Sequence, residues 1–431
     1  MLKRSVLLAG LCSVWFAGPA AADDLALLIP NLFGPDGLKV DSEALINGQT
    51  HSAHFNHSFQ ESFAPFNIAL ATQLASVQIP TPASGFTYTF DSSVGVFKRS
   101  TESFGPILSE RAETIGRKKV SLGLHFQHFT FDSIDGVGLG NVPAVFTHDS
   151  AAYPGGKADV VTTSNSIGVT LNQTTFFATY GVADRFDVSV AIPIVSVDLN
   201  VTSAATIQRI GSTDKAVHFY RAADGSFGDT HTFHNKGSAT GIGDILLRVK
   251  GTVVKNGPTG LALGLDARLP TGDEKNLLGS GAASLKPFAA FSHSSKSLSP
   301  HINVAYQWNG KSVLAGNVQN GTKEDLPDLF FYNAGADVAI VKQVTLAFDL
   351  LGRTVINGQR LVSGTFLALN KTSTFPNVHF EKGSFSQFDG AVGMKVNAGG
   401  KLLVDLNVTF KLNDTGLRDK VTPLFGIEYS F

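Results

Sequence analysis

Three histidines spaced three apart, His51, His54 and His57, are of a type and spacing that suits a transition metal, because on a helix their imidazoles would line one face. The flanking residues do not favour helix and no carboxylate follows at ligand spacing, so a polar surface or plug segment accounts for them, and no metal or other cofactor is assigned. His231 and His234 read as solvated loop residues. A hydrolase would need a serine activated by a histidine and an acid. His125, His128, His293 and His301 lie on or near strand-like segments, but there is no Gly-x-Ser-x-Gly elbow and no phrase that singles out one serine, so no catalytic residue is assigned and the chain reads as a non-enzyme. The charges are more telling. Arg248, Lys250, Asp266, Arg268, Asp337, Asp349, Lys395, Asp405, Lys411 and Glu428 all fall on one parity of segments that alternate apolar and polar residues. The elements that carry them decide what they can do.

Those elements are clearest at the carboxyl terminus. From Val421 to Phe431 every odd position except Pro423 is apolar or aromatic. Period-two alternation of this kind suits a strand with one face toward lipid and the other toward a polar lumen. Phe425, Ile427, Tyr429 and the terminal Phe431, at two-residue steps, resemble the signal read by the barrel assembly machinery of the bacterial outer membrane. A periplasmic β-sandwich is the alternative. Leu402 to Leu412 and Phe388 to Val396 alternate in the same way around the turn Ala398–Lys401, as do Val344–Leu350 with Ala334–Ile340, and Leu261–Leu269 with Ile245–Val253. Short connections near 181–185, 255–259, 295–299, 341–343 and 398–400 alternate with long ones near 133–160, 202–240, 271–282, 310–329 and 356–384, the pattern of periplasmic turns and outer loops. The count from Val120 is about twelve strands, or fourteen if Phe86–Phe90 and the stretch to Phe97 contribute. The fold expected is a transmembrane antiparallel up-and-down β-barrel. Lys or Arg on its lipid face would cost about 2–4 kcal/mol each at mid-membrane, so the ten charges must turn inward. There, mixed signs would pair to fill the pore or hold a plug, with a path for polar solutes as the second reading. Tyr180, Phe186, Tyr429 and Phe431 fall near one interface and Tyr306, Trp308, Tyr332 and Phe388 near the other, as two aromatic girdles would.

Residues 1–22 read as a signal peptide: Lys3 and Arg4, the apolar run Val6–Phe16, then Ala20–Ala22 before Asp23. Their removal takes the formal charge from −1 to −3, which does not suggest nucleic acid, and takes away the single cysteine, Cys12, leaving no disulfide or thiolate site. After them no apolar run approaches the roughly 20 residues of a membrane helix. Residues 23–117 carry few strand signals. Phe63, Phe66, Leu70, Leu74 and Val77 recur at roughly helical spacing, so a short helix is expected over 62–77, stopped by Pro80 and Pro82. This section reads as a plug inside the barrel or a periplasmic extension, ahead of a barrel over 118–431. At Pro193 the apolar parity slips from Ile192 and Ile194 to Val195, Val197 and Leu199, as a β-bulge would cause.

The phrases Tyr180-Gly-Val-Ala-Asp-Arg-Phe186 leading to Ala191-Ile-Pro193, Gly243-Asp-Ile-Leu-Leu-Arg-Val-Lys250 and Leu269-Pro-Thr-Gly-Asp273 resemble the outer-membrane proteins of the meta-pathway of phenol degradation, over roughly residues 160–431. The resemblance implies location in the outer-membrane bilayer and passive uptake of hydrophobic or small aromatic compounds, similar in outline to long-chain fatty acid transporters. The Asn-Pro-Ala phrase of true fatty acid transporters is missing near the start. A structural or adhesive barrel whose outer loops bind a partner is the second expectation, and a barrel hydrolase the third. Phe, Leu and Ile facing the lumen from the amino-terminal section would favour uptake, and a lumen closed by ion pairs would favour the structural reading.

Overall fold

The computed structural model describes residues 24–34, 37–46, 49–50, 55, 58–77, 87–91, 96–99, 102–147, 159–211, 213–295 and 297–431. The expected signal peptide and the His51, His54 and His57 series lie outside them. Among the described residues, twelve antiparallel strands close the barrel. They are β1 (Val120–Ile134), β2 (Val160–Ala183), β3 (Phe186–Gln208), β4 (Ile245–Asn256), β5 (Thr259–Leu269) and β6 (Ser284–His293), then β7 (Leu298–Asn309), β8 (Asp328–Val341), β9 (Val344–Leu367), β10 (Thr374–Gly399), β11 (Leu402–Lys411) and β12 (Val421–Ser430). Each pairs with the next, and β12 closes on β1 with Phe425 opposite Phe126 and the Phe431 N–H donating to the Val120 carbonyl. Among the described residues Tyr88–Asp91 and Val96–Arg99 pair with each other and not with the barrel, so the fourteen-strand count does not hold. No helix is long and apolar enough to cross a membrane among the described residues, and the crossing is made by strands.

Closure follows from alternation. Along β12 exposed and buried residues alternate without a break, with Phe425, Ile427 and Tyr429 outside and Leu424, Gly426 and Glu428 inside. The outer face forms the apolar belt of an outer-membrane barrel, rimmed by Tyr180, Phe186, Tyr429 and Phe431 at the end with the short turns and by Tyr306, Trp308, Tyr332 and Phe388 at the other.

Four strands overshoot the bilayer. β2, β3, β9 and β10 have 23 to 26 residues, where about 9–11 suffice to span. The expected long loops over 202–240 and 356–384 are therefore mostly strand: Thr230–Ile242 pairs with the upper part of β3, and β9 and β10 stay paired from Val344↔Val396 to Leu367↔Thr374. Above the membrane the alternation keeps its phase, but the two environments exchange. On β2 the outward Phe176 and Tyr180 give way to Ser164 and Ser166, while the inward side changes from Thr179, Thr175 and Gln173 to Leu171, Val169 and Ile167. On β1, outward Leu122, Leu124 and Phe126 give way to Thr130, and inward His125 and Gln127 to Phe129 and Phe131. Lipid outside and a polar lumen are replaced by water outside and an apolar interior.

This exchange corrects the expected bulge at Pro193. Pro193, Val195, Val197 and Leu199 stay inward, and β3 pairs with β2 in unbroken register there. The apparent slip is the crossing of the membrane surface. The extra residue lies in the neighbouring strand, where Gly243, Asp244 and Ile245 stand opposite Ile192 and Pro193, because proline has no N–H to continue that ladder.

Leu406, half exposed on the outer face between Met394 and Phe425, tests the lipid assignment. Leu406→Arg is expected to lower barrel stability by about 2–4 kcal/mol, measured as the urea midpoint in lipid vesicles. A change under about 0.5 kcal/mol, the level of an ordinary surface substitution, would place that face away from hydrocarbon.

Candidate functional site

The lumen is closed in two layers. In the upper, extracellular half the amino-terminal section supplies the core: Leu25 to Val40 and the helix α1 (Ser58–Ser76) pack Leu25, Ile29, Leu32, Phe33, Phe66, Leu70 and Leu74 against Phe129, Phe131, Val169, Leu171, Val197 and Leu199 of the wall. The helix begins one turn before the expected Ser62. The Leu25 turn lies so close to the wall that a Cβ on Gly237 would come within 2.7 Å of a Leu25 methyl group, which would have to shift to admit it. The end of α1 is tied down by Arg353, which donates to the Ser76 hydroxyl and the Gln73 amide oxygen, each at 2.6 Å, and by Gln307, which donates to the Ala75 carbonyl.

In the lower half residues 102–116 cross the lumen in an irregular path. Among the described residues most of their hydrogen bonds are made to the wall, because an extended segment without a strand partner must satisfy its backbone elsewhere. The N–H groups of Phe104, Glu110, Ala112 and Ile115 donate to Thr345, Asn303, Ser292 and Asp187. Ser103 and Ser109 donate to Asp337 and Asp349, and His301 bridges these two carboxylates, 2.7 Å from Asp349 and 3.6 Å from Asp337. Both serines bond carboxylates rather than the imidazole, which is not the arrangement of a serine nucleophile.

Arg248, Lys250, Asp266, Arg268, Asp337, Asp349, Lys395, Asp405 and Glu428 all point inward and are a tenth exposed or less, whereas Lys411 sits partly exposed at the outer rim, paired with Asp132 and Asp414. Arg248 binds Asp266 on the adjacent strand and also Glu110 of the crossing segment, which takes Lys250 as well at 3.0 Å. Lys395 reaches the Phe104 carbonyl, Asp405 pairs with His125, and Glu428 accepts from Ser121. Arg248, Lys250, Asp337, Asp349 and Lys395 thus meet partners carried by the crossing segment, whereas Asp405 and Glu428 are served by β1. Glu110, Ser103 and Ser109 were not found from sequence, since residues 102–116 have no periodicity; the mix of charges with Ile107 and Leu108 just ahead of β1 was the one available signal. Phe425, Ile427, Tyr429 and Phe431 lie on the outer face, roughly two-fifths to half exposed.

Between the layers are two cavities of about 70 Å³ each. One lies against Phe129, Arg353 and Arg418, the other against Arg268, Lys286, Phe288 and Phe331, and Val77 and Leu108 line both. Among the described residues no three His, Cys, Asp or Glu side chains gather as a metal site.

A family model described as "Putative MetA-pathway of phenol degradation" matches residues 145–416. No curated protein matches the chain. Among solved structures, an outer membrane channel from Pseudomonas putida F1 is 12% identical, with a TM-score of 0.46 over 75% of this chain and 99% of that one. A Pseudomonas aeruginosa FadL homologue is 9% identical, with a TM-score of 0.32 over 81% of this chain and 96% of that one. The P. putida toluene transporter TodX is 10% identical, with a TM-score of 0.32 over 73% of this chain and 89% of that one.

Proposed function

The chain belongs to this family of the MetA-pathway of phenol degradation, and from that premise we propose that it is an outer-membrane conduit for hydrophobic or small aromatic compounds, closed at rest by its own amino-terminal section. The observation that carries the reading is the pair of cavities that share Val77 and Leu108 in their walls. Each is too small for a benzene ring, which a dry cavity of about 150 Å³ accepts. Joined, they come close to that size. The hinge between them consists of two aliphatic side chains, and the chamber above is lined by the Phe, Leu and Val side chains that α1 now covers. A hydrophobic solute that displaced α1 would meet apolar surface first and the cavities next. The solute then moves down its gradient, with no energy source required.

The ion-paired lower lumen favours a second reading, a structural barrel whose charges only lock the crossing segment. In this reading residues 102–116 never leave. We infer for either that Phe425, Ile427, Tyr429 and Phe431 present the strand end to the assembly machinery. The discriminating experiment is uptake of phenol, toluene and a long-chain fatty acid by a deletion strain and its parent. Several-fold slower uptake of at least one compound, restored by the gene supplied in trans, is expected. Equal uptake of all three would overturn the conduit.

A further inference from the structure

We propose that the cavity beside Leu108 is a site for a small aromatic carboxylate, its anionic end held by Arg268 and its ring set against Phe288 and Phe331. The proposal rests on the conduit reading and names a substrate class for it.

The argument begins with a charge left over. Four cations project into this part of the lumen, and two carboxylates serve three of them: Glu110 pairs with Arg248 and Lys250, and Asp266 with Arg248 and Lys286. Arg268 has no ion-pair or hydrogen-bond partner among the described residues, its Nε is a buried donor without an acceptor, and the residue is 8% exposed. The charges of Asp244 and Asp266 also reach Arg268, but the oxygens of Asp244 are taken by the Gly272 and Ser280 N–H groups and the Ser280 hydroxyl, and those of Asp266 by Arg248 and Lys286. A buried guanidinium is seldom left without a bidentate acceptor, which a carboxylate supplies with matching geometry. Arg268 lines the cavity, so an anion bound there would complete it.

The other walls select what the anion is attached to. Phe288 and Phe331 line the same cavity, the first with the Arg248 guanidinium 5.1 Å from its ring centre and the second with the Lys286 ammonium at 5.2 Å, and both cations line the cavity beside them. Phe288 also lies over Gly264, where a Cβ would approach its ring to 2.2 Å. Two fixed aromatic faces beside a free guanidinium suit a planar ring carrying a carboxylate, and at about 70 Å³ the ring fits only once Leu108 and Val77 yield.

The test is calorimetric titration of the purified full-length protein in detergent with benzoate, benzyl alcohol and acetate. Benzoate is expected to bind about 10- to 100-fold more tightly than benzyl alcohol, the range of a charge-assisted hydrogen-bonded pair, and more tightly than acetate. Arg268→Met, with its fold checked by heat-dependent gel migration, should bring benzoate down to the affinity of benzyl alcohol. Benzoate binding equally to the wild type and to R268M, or no better than benzyl alcohol to the wild type, would overturn the site. If R268M does not fold, the wild-type comparison still decides. Loss of the benzoate preference with benzyl alcohol still bound would leave the conduit standing. No binding of any compound, together with equal cellular uptake, would remove both.

Discussion

Deleting residues 24–116 is expected to turn a closed barrel into an open channel in planar bilayers, whereas deleting residues 60–80 alone should leave conductance near that of the intact chain. The difference follows from the two layers. Removing α1 empties the apolar chamber above the membrane, but Ser103 to Ile115 still cross the lumen below it, fixed to Asp337, Asp349, Asn303, Ser292 and Asp187. An ion meets that second layer whether or not the helix is present. Removing both leaves a lumen ringed by Arg248, Lys250, Asp266, Asp349, Lys395 and Asp405, all of which water can then solvate, so steady conductance steps should appear. Full conductance after the shorter deletion would make α1 the sole barrier. A closed baseline after the longer deletion, in protein that still shifts on heating, would put closure in the wall charges themselves.

The barrel was legible because its constraint is local. A residue on a spanning strand faces lipid or lumen, and the hydrocarbon penalty writes that choice into each pair of neighbours, so Val421–Phe431 declares its faces without help from the rest of the chain. The same locality explains what was misread. At Pro193 the polarity pattern changed sign, and from sequence a change of phase and a change of surroundings are indistinguishable. Only the partner strands, which show β3 unbroken and the extra residue at Gly243–Ile245, separate the two. The stretches over 202–240 and 356–384 looked like loops for a related reason: above the membrane the outward residues are polar, and strands such as Thr230–Ile242 lack the apolar face that identifies a lipid-facing one. Parity turned Arg248 and Lys250 inward, yet it could not supply Glu110, because a segment that satisfies its backbone through Asn303 and Ser292 side chains needs no periodicity of its own. The two readings that sequence set against each other, an apolar lumen or an ion-paired one, both occur, one above the other.

Glu110 is where the crossing segment and the wall are most tightly joined, so Glu110→Gln should be among the most costly single changes inside the barrel. The carboxylate serves Arg248 and Lys250 together. Arg248 would keep Asp266, but Lys250, 2% exposed, would keep only the Arg111 carbonyl at 3.3 Å among its hydrogen bonds. A buried ammonium deprived of its hydrogen-bonded counter-charge costs about 3–5 kcal/mol, and Lys250 keeps only the more distant charge of Asp187. That remaining charge argues for the lower end of the range. Lys250→Met by itself should cost less, since it leaves Glu110 paired with Arg248. The double variant E110Q/K250M should recover most of the loss, because removing both members of a buried pair is far cheaper than removing one. Urea unfolding in lipid vesicles for the four proteins gives the coupling directly as a double-mutant cycle. A loss under about 0.5 kcal/mol for E110Q, ordinary for a solvated surface position, would mean that water already screens the pair and that Glu110 does not hold the segment across the lumen. A large loss with strong coupling would identify this pair as the latch that any solute must release, and E110Q should then also raise the frequency of brief openings in planar bilayers.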